Sequence, residues 1–175
     1  MIEEVRPRTV TPPVVSKPAI TPAAPLLSFN QQLLSAIQSH LGAYYHYNTT
    51  GPDSFDCSGL VWRAFNDVGV NFQRGPARSY WATFDVPPSG EEFTFGTLVF
   101  FSNLAHVGIV VDGKGFYHSA RHGGVMYSPF NDYWLARIDG FRRVPVETLL
   151  ANSAVQKPRL VKPTLLITPK PNNQK

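Results

Sequence analysis

Proline decides where this chain can fold. Of its sixteen prolines, Pro7, Pro12, Pro13, Pro18, Pro22 and Pro25 lie in the first 25 residues, and Pro158, Pro163, Pro169 and Pro171 in the last 25. Each fixes φ and removes a backbone donor, so neither end can supply the interior of a helix or sheet, and both are expected to be extended spacers. The expected division is a proline-rich linker over 1–27, a folded domain over 28–150 and a basic proline-rich tail over 151–175. A middle of that size suits one hydrophobic core of roughly 100–150 residues, and the 43% hydrophobic and 13% aromatic content is enough to fill it.

The formal charge of +4 suggests an anionic partner until it is divided along the chain. Arg6, Arg8 and Lys17 stand against Glu3 and Glu4 at the N-terminal end, and Lys157, Arg159, Lys162, Lys170 and Lys175 are unopposed at the C-terminal end, so the middle is left at −2. The basic tail suits an anionic surface such as a bacterial envelope, whereas the folded part offers no nucleic-acid face. No run approaches the roughly 18 apolar residues of a membrane span, and the N-terminus lacks the basic-then-apolar pattern of a signal peptide. Any export signal is expected to have been removed, to lie outside this sequence, or never to have existed.

Within the middle, helical periodicity comes first. Ser28 and Gln31 have capping-box spacing, and Phe29, Leu33, Leu34, Ile37 and Leu41 fall on one stripe, with Gly42 as the stop. A second helix starts near Cys57, with Leu60, Val61, Ala64, Phe65 and Val68 inward and Gly69 at its end. From Thr97 the pattern becomes short strands: Leu98–Phe101, His106–Val111, Gly115–Ser119, Val125–Tyr127 and Ile138–Val144. Asp112-Gly113 and Gly123-Gly124 separate successive strands at hairpin spacing. The fold class is therefore α+β: N-terminal helices packed on an antiparallel sheet of about five strands, with no βαβ unit. Gly113-Lys114-Gly115 lacks the third glycine and the following helix of a dinucleotide loop.

Cys57 is the only cysteine, which excludes an internal disulfide and a cysteine metal cluster. It stands at the first turn of the second helix, off the apolar stripe of that helix, where free amides and the helix dipole favour thiolate over thiol and lower the pKa from its usual ~8.5. The same amides could hold an oxyanion. A thiolate needs an imidazole, and of the five histidines two stand out. His106 begins an apolar strand, where packing does not explain it, and His118 lies on the next strand, placed to orient His106 from behind. His118 and His122 are four apart, but the glycines after them argue against a helix and hence against a metal pair. No metal and no cofactor are expected.

These segments together resemble the NlpC/P60 cysteine peptidases over about residues 29–144. Leu41-Gly42 with Tyr45, Phe55-Asp56-Cys57-Ser58-Gly59-Leu60-Val61, Gly96-Thr97-Leu98-Val99-Phe100-Phe101, His106-Val107-Gly108-Ile109 and Phe116-Tyr117-His118-Ser119-Ala120 follow one another in that family's order, and Tyr133-Trp134 and Phe141-Arg142-Arg143-Val144 fit its closing segment. The resemblance implies a papain-like core with Cys57, His106 and His118 catalytic. It implies hydrolysis of peptidoglycan stem peptides, commonly between D-γ-glutamate and the diamino acid. It gives Asp56 and Tyr45, with Ser58 nearby, a part in gripping the substrate's amino end, although Asp56 alone is equally a helix N-cap. The partner it implies is peptidoglycan or muropeptides; the protein is expected to be monomeric and secreted, periplasmic or wall-associated. The chain departs from the family's pattern at Asn48-Thr49, at Thr97 and in Phe72-Gln73-Arg74-Gly75-Pro76, all at the rim of the expected groove. Two other functions fit the same residues: a Cys–His acyltransferase or amidase on another amide or ester, and a non-catalytic wall-binding module.

Overall fold

The computed structural model describes residues 27–156, and over that span helices precede the sheet as the periodicity predicts. Helix α1 (Phe29–Ser39) opens with the expected capping box: the Gln31 N–H donates to Ser28 Oγ and the Ser28 N–H to Gln31 Oε1. Leu33 and Ile37 are buried, but the helix stops at Ser39, so Leu41 lies beyond it, 46% exposed, instead of completing the stripe. Two short strands follow, β1 (Tyr44–Tyr45) and β2 (Ser54–Phe55), paired in parallel. Helix α2 (Cys57–Asp67) buries Leu60, Val61, Ala64 and Phe65 and ends before Gly69, whose φ of +84° turns the chain out.

The sequence did not announce α3 (Ala77–Thr83). Its seven residues offer only the short stripe of Ala77, Tyr80 and Trp81, and tertiary contacts hold the helix: Tyr80 stacks on Phe84, and Phe72 meets both rings edge-on.

The sheet comprises β3 (Leu98–Phe101), β4 (His106–Asp112), β5 (Gly115–Ala120), β6 (Gly124–Pro129) and β7 (Ile138–Arg142), ordered β6-β5-β4-β3-β7 with every pair antiparallel. One face packs Leu98, Phe100, Val107 and Ile109 against α1 and α2. The other packs Val99, Phe101, Val110 and Phe116 against a second layer that includes Phe130 and Trp134, the latter from the one-turn helix α4 (Asp132–Leu135). Cover on both faces explains why all four residues of β3 are buried and why no polar alternation marks that strand.

Helix α5 (Val146–Gln156) runs past residue 150, where the folded domain was expected to end, and lays Leu149 and Leu150 against the core. The expected linker and most of the expected tail lie outside the described residues.

Candidate active site

Cys57 sits where the sequence puts it in the chain but not where it was expected in the packing. It is the first residue of α2, yet it is buried and belongs to the same apolar cluster as Val61 and Val107. Burial raises the thiol pKa above its ordinary value, the Val107 N–H works against that, the Asp56 charge adds to it, and the N–H groups of Ser58 and Cys57 itself oppose it. Burial prevails, so the resting sulfur is a thiol; the expectation of a pKa lowered by the helix start is corrected by the depth of the site. The amide environment predicted for Cys57 is nonetheless present: the N–H groups of Val107, Ser58 and Cys57 itself all favour the thiolate.

His106 and His118 meet as β4 and β5 pair. His106 Nε2 lies 2.7 Å from His118 Nδ1, and His118 Nε2 lies 2.8 Å from Ser128 Oγ on β6. Trp134 stacks on His106 at 5.7 Å between ring centroids and meets His118 edge-on at 5.1 Å, fixing both planes. With Nε2 engaged, Nδ1 is the nitrogen of His106 left to face a thiol. It can accept a proton only if Nε2 carries the ring hydrogen and donates to His118, which then donates from its own Nε2 to Ser128 Oγ. Burial lowers the His106 pKa to about 4, and burial followed by the neighbouring charge of His106 lowers that of His118 to about 3. Both rings are neutral at pH 7, the state a general base requires.

Asp56 proves to be the N-cap of α2, and more besides. Its Oδ1 accepts the Gly59 N–H at 2.6 Å and the Ser58 hydroxyl at 2.9 Å, and Arg74 grips both carboxylate oxygens at 2.8 and 2.7 Å. Arg74 also donates to Ser58 Oγ, so the Ser58 hydroxyl is occupied inside this network. Oδ2 of Asp56, with Arg74 as its one partner, keeps accepting capacity. Tyr45, half-buried, is brought beside this network because it pairs with Phe55 across β1 and β2.

All of Tyr45, Asp56, Cys57 and Ser58 line a groove of about 430 Å³. A larger depression of about 620 Å³, between α1, Val86, Phe95 and the start of α5, contains none of these groups. His122 lies exposed in the turn after β5, while His118 is buried and committed to His106 and Ser128. Arg74, Ser128 and Trp134 were not singled out by the sequence as site residues. The only trace of Arg74 was its place in a segment that departs from the family pattern, and Ser128 gave no signal at all.

Comparison with known proteins points the same way. The NlpC/P60 family matches residues 42–143. The chain is 37% identical over 116 residues to the probable endopeptidase p60 of Listeria seeligeri, covering 64% of this chain and 22% of that protein. It is 30% identical over 114 residues to the probable peptidoglycan endopeptidase LytE of Bacillus subtilis, covering 64% of this chain and 34% of LytE. The chain thus spans well under half the length of these relatives. Among solved structures, an NLP/P60 family protein of Staphylococcus aureus superposes with a TM-score of 0.58 at 29% identity, covering 66% of this chain and 41% of that one. The peptidoglycan hydrolase RipB of Mycobacterium tuberculosis superposes with a TM-score of 0.52 at 25% identity, covering 66% and 64%.

Proposed function

The chain belongs to the NlpC/P60 family, and from that premise we propose that it is a cysteine endopeptidase that hydrolyses peptidoglycan stem peptides at the D-γ-glutamyl–diamino acid bond. The observation that carries this is the ordered line Ser128–His118–His106, which ends at the first residue of a strand whose next residue, Val107, packs with the buried thiol that starts α2 and lines the open groove. That line leaves one imidazole nitrogen for the nucleophile and holds the ring neutral. It is machinery for moving a proton, which a module that merely binds the wall would not need.

As Cys57 Sγ attacks the amide carbonyl carbon, its proton passes to His106 Nδ1. The Cys57 and Ser58 N–H groups steady the oxyanion. The tetrahedral adduct collapses as the imidazolium protonates the leaving amine, giving a thioester and freeing the diamino acid's amino group. Water then attacks the thioester, His106 takes a water proton, and collapse releases the γ-carboxylate while the proton returns to sulfur. Because thiol and imidazole are both neutral at rest, the proton moves with the attack rather than before it. Asp56 Oδ2 and Tyr45 hold the substrate's amino end at the groove. The same reading makes the protein monomeric and secreted or wall-associated.

Digestion of purified peptidoglycan by wild type and by Cys57→Ala, followed by mass spectrometry of the fragments, tests this. Wild type is expected to release fragments with a new γ-glutamyl carboxylate and a new diamino acid amine, and Cys57→Ala none. No release from any wall chemotype, or equal release by both proteins, overturns the proposal.

A further inference from the structure

The groove is positively charged although the fold around it is not. Residues 26–150 carry a net charge of −2, and most of their cations are partnered. Arg63 pairs with Asp67, Arg74 with Asp56 and Arg143 with Glu91. Arg137 lies 3.8 Å over the Tyr133 ring and Arg142 3.3 Å over that of Trp81. Three cations have no such partner among the described residues: Lys114 lies in the turn between β4 and β5, and Arg78 and Arg121 both line the groove with Cys57. Arg78 donates to the backbone oxygen of Asn103 at 2.6 Å, which leaves its charge uncompensated. Arg121 is exposed and forms no ion pair among the described residues. The one carboxylate lining the groove, Asp56, is already gripped by Arg74.

The two guanidinium groups reach the groove from different parts of the fold. Arg121 follows β5, three residues after His118, while Arg78 lies in the first turn of α3 and is tied to the turn that leads into His106. Cys57 lies in the same groove, at the start of α2. We propose that Arg78 and Arg121 determine specificity, selecting peptides that carry free carboxylates beside the scissile amide.

The inference rests on the stem-peptide endopeptidase reading and narrows it. A glutamate linked through its γ-carbon keeps its α-carboxylate free close to the bond that is cut, and amidation of that group removes both the charge and an acceptor oxygen. A guanidinium fork matches a carboxylate with two parallel hydrogen bonds and does not match a carboxamide, which presents donors of its own.

The test uses two synthetic L-alanyl-γ-D-glutamyl-diaminopimelyl peptides that differ only in whether the glutamate α-carboxylate is free or amidated. Wild type is expected to prefer the free acid by about tenfold or more in kcat/KM, mostly through KM. The preference is expected to fall to near one in the double variant Arg78→Gln with Arg121→Gln, and to survive in part in Arg78→Lys and Arg121→Lys. Taking the ratio within each protein cancels any general loss of folding. A wild-type ratio near one, or a double variant that keeps the preference, overturns the inference even if both peptides are cut. Calorimetric binding of the same peptides to Cys57→Ala separates the two claims. If wild type cuts neither peptide while Cys57→Ala binds the free acid better and the arginine substitutions abolish that difference, the selectivity stands and the endopeptidase reading falls. Equal binding of the two peptides, or none, overturns the selectivity.

Discussion

Ser128 controls the proton of a ring it does not touch. By accepting from His118 Nε2 it favours the tautomer in which His106 Nδ1 is bare. Ser128→Ala is therefore expected to lower kcat about tenfold with KM little changed, and Ser128→Thr to restore it because the hydroxyl returns. Steady-state kinetics of the two variants check this; a loss confined to KM would assign Ser128 to substrate binding instead. On the proposed mechanism the lowered His106 pKa sets the acid limb of the reaction. A base that stays neutral down to about pH 4 should hold kcat/KM nearly level between pH 7 and about pH 5, with the fall centred near 4. An acid limb near the ordinary imidazole value of 6.5 would contradict this. The place of Cys57 at a helix start and the meeting of His106 with His118 were legible because each of these residues stands at a recognisable position in its own segment. Ser128 and Trp134 were not, because they join the site only through strand register and a one-turn helix that bring distant residues together.

At the level of elements, the start of α2 depends on a close approach. A Cβ on Gly59 would collide with the backbone oxygen of Thr49, which itself accepts the Asp56 N–H at 3.1 Å. Gly59→Ala is thus expected to cost roughly 1–3 kcal/mol and to displace the 48–50 loop from the groove, lowering both the unfolding midpoint and activity in thermal and kinetic assays. The departure noted at Asn48-Thr49 is therefore no loose rim: that loop packs on the helix that Cys57 begins. Helices α1 and α2 could be read from their periodicity, and the five sheet strands from apolar runs bounded by turn glycines. The β1–β2 pair is only two residues a side, α3 exists through aromatic contacts, and α4 is a single turn, so local sequence held no rhythm to read.

For the molecule as a whole, two neutral histidines, His118 buried and His106 half-buried, couple stability to pH. The unfolded chain takes up protons on His106 and His118 as pH falls below 6.5, whereas the folded chain resists until about 4 and 3. The folded state therefore keeps its full stability above pH 6.5 and loses it progressively as pH drops towards 4, by roughly 3 kcal/mol from His106 alone. Thermal unfolding followed from pH 7.5 to 4 should show this decline, and His118→Asn should make it shallower without removing the part that comes from His106; a midpoint independent of pH over that window would contradict the neutral pair. The α+β class and its layer order were visible in the sequence. The end of the domain was not, because α5 combines an apolar inner side with a composition that also suits a tail.

The hairpin of β4 and β5 has a consequence in time as well as in space. His106 and His118 are twelve residues apart and can meet as soon as two neighbouring strands pair, whereas Cys57 must be delivered from an earlier helix through long-range docking. Until that docking is complete Cys57 stands apart from the histidine pair, so on the proposed mechanism a newly made chain gains its chemistry only once helix and hairpin have met.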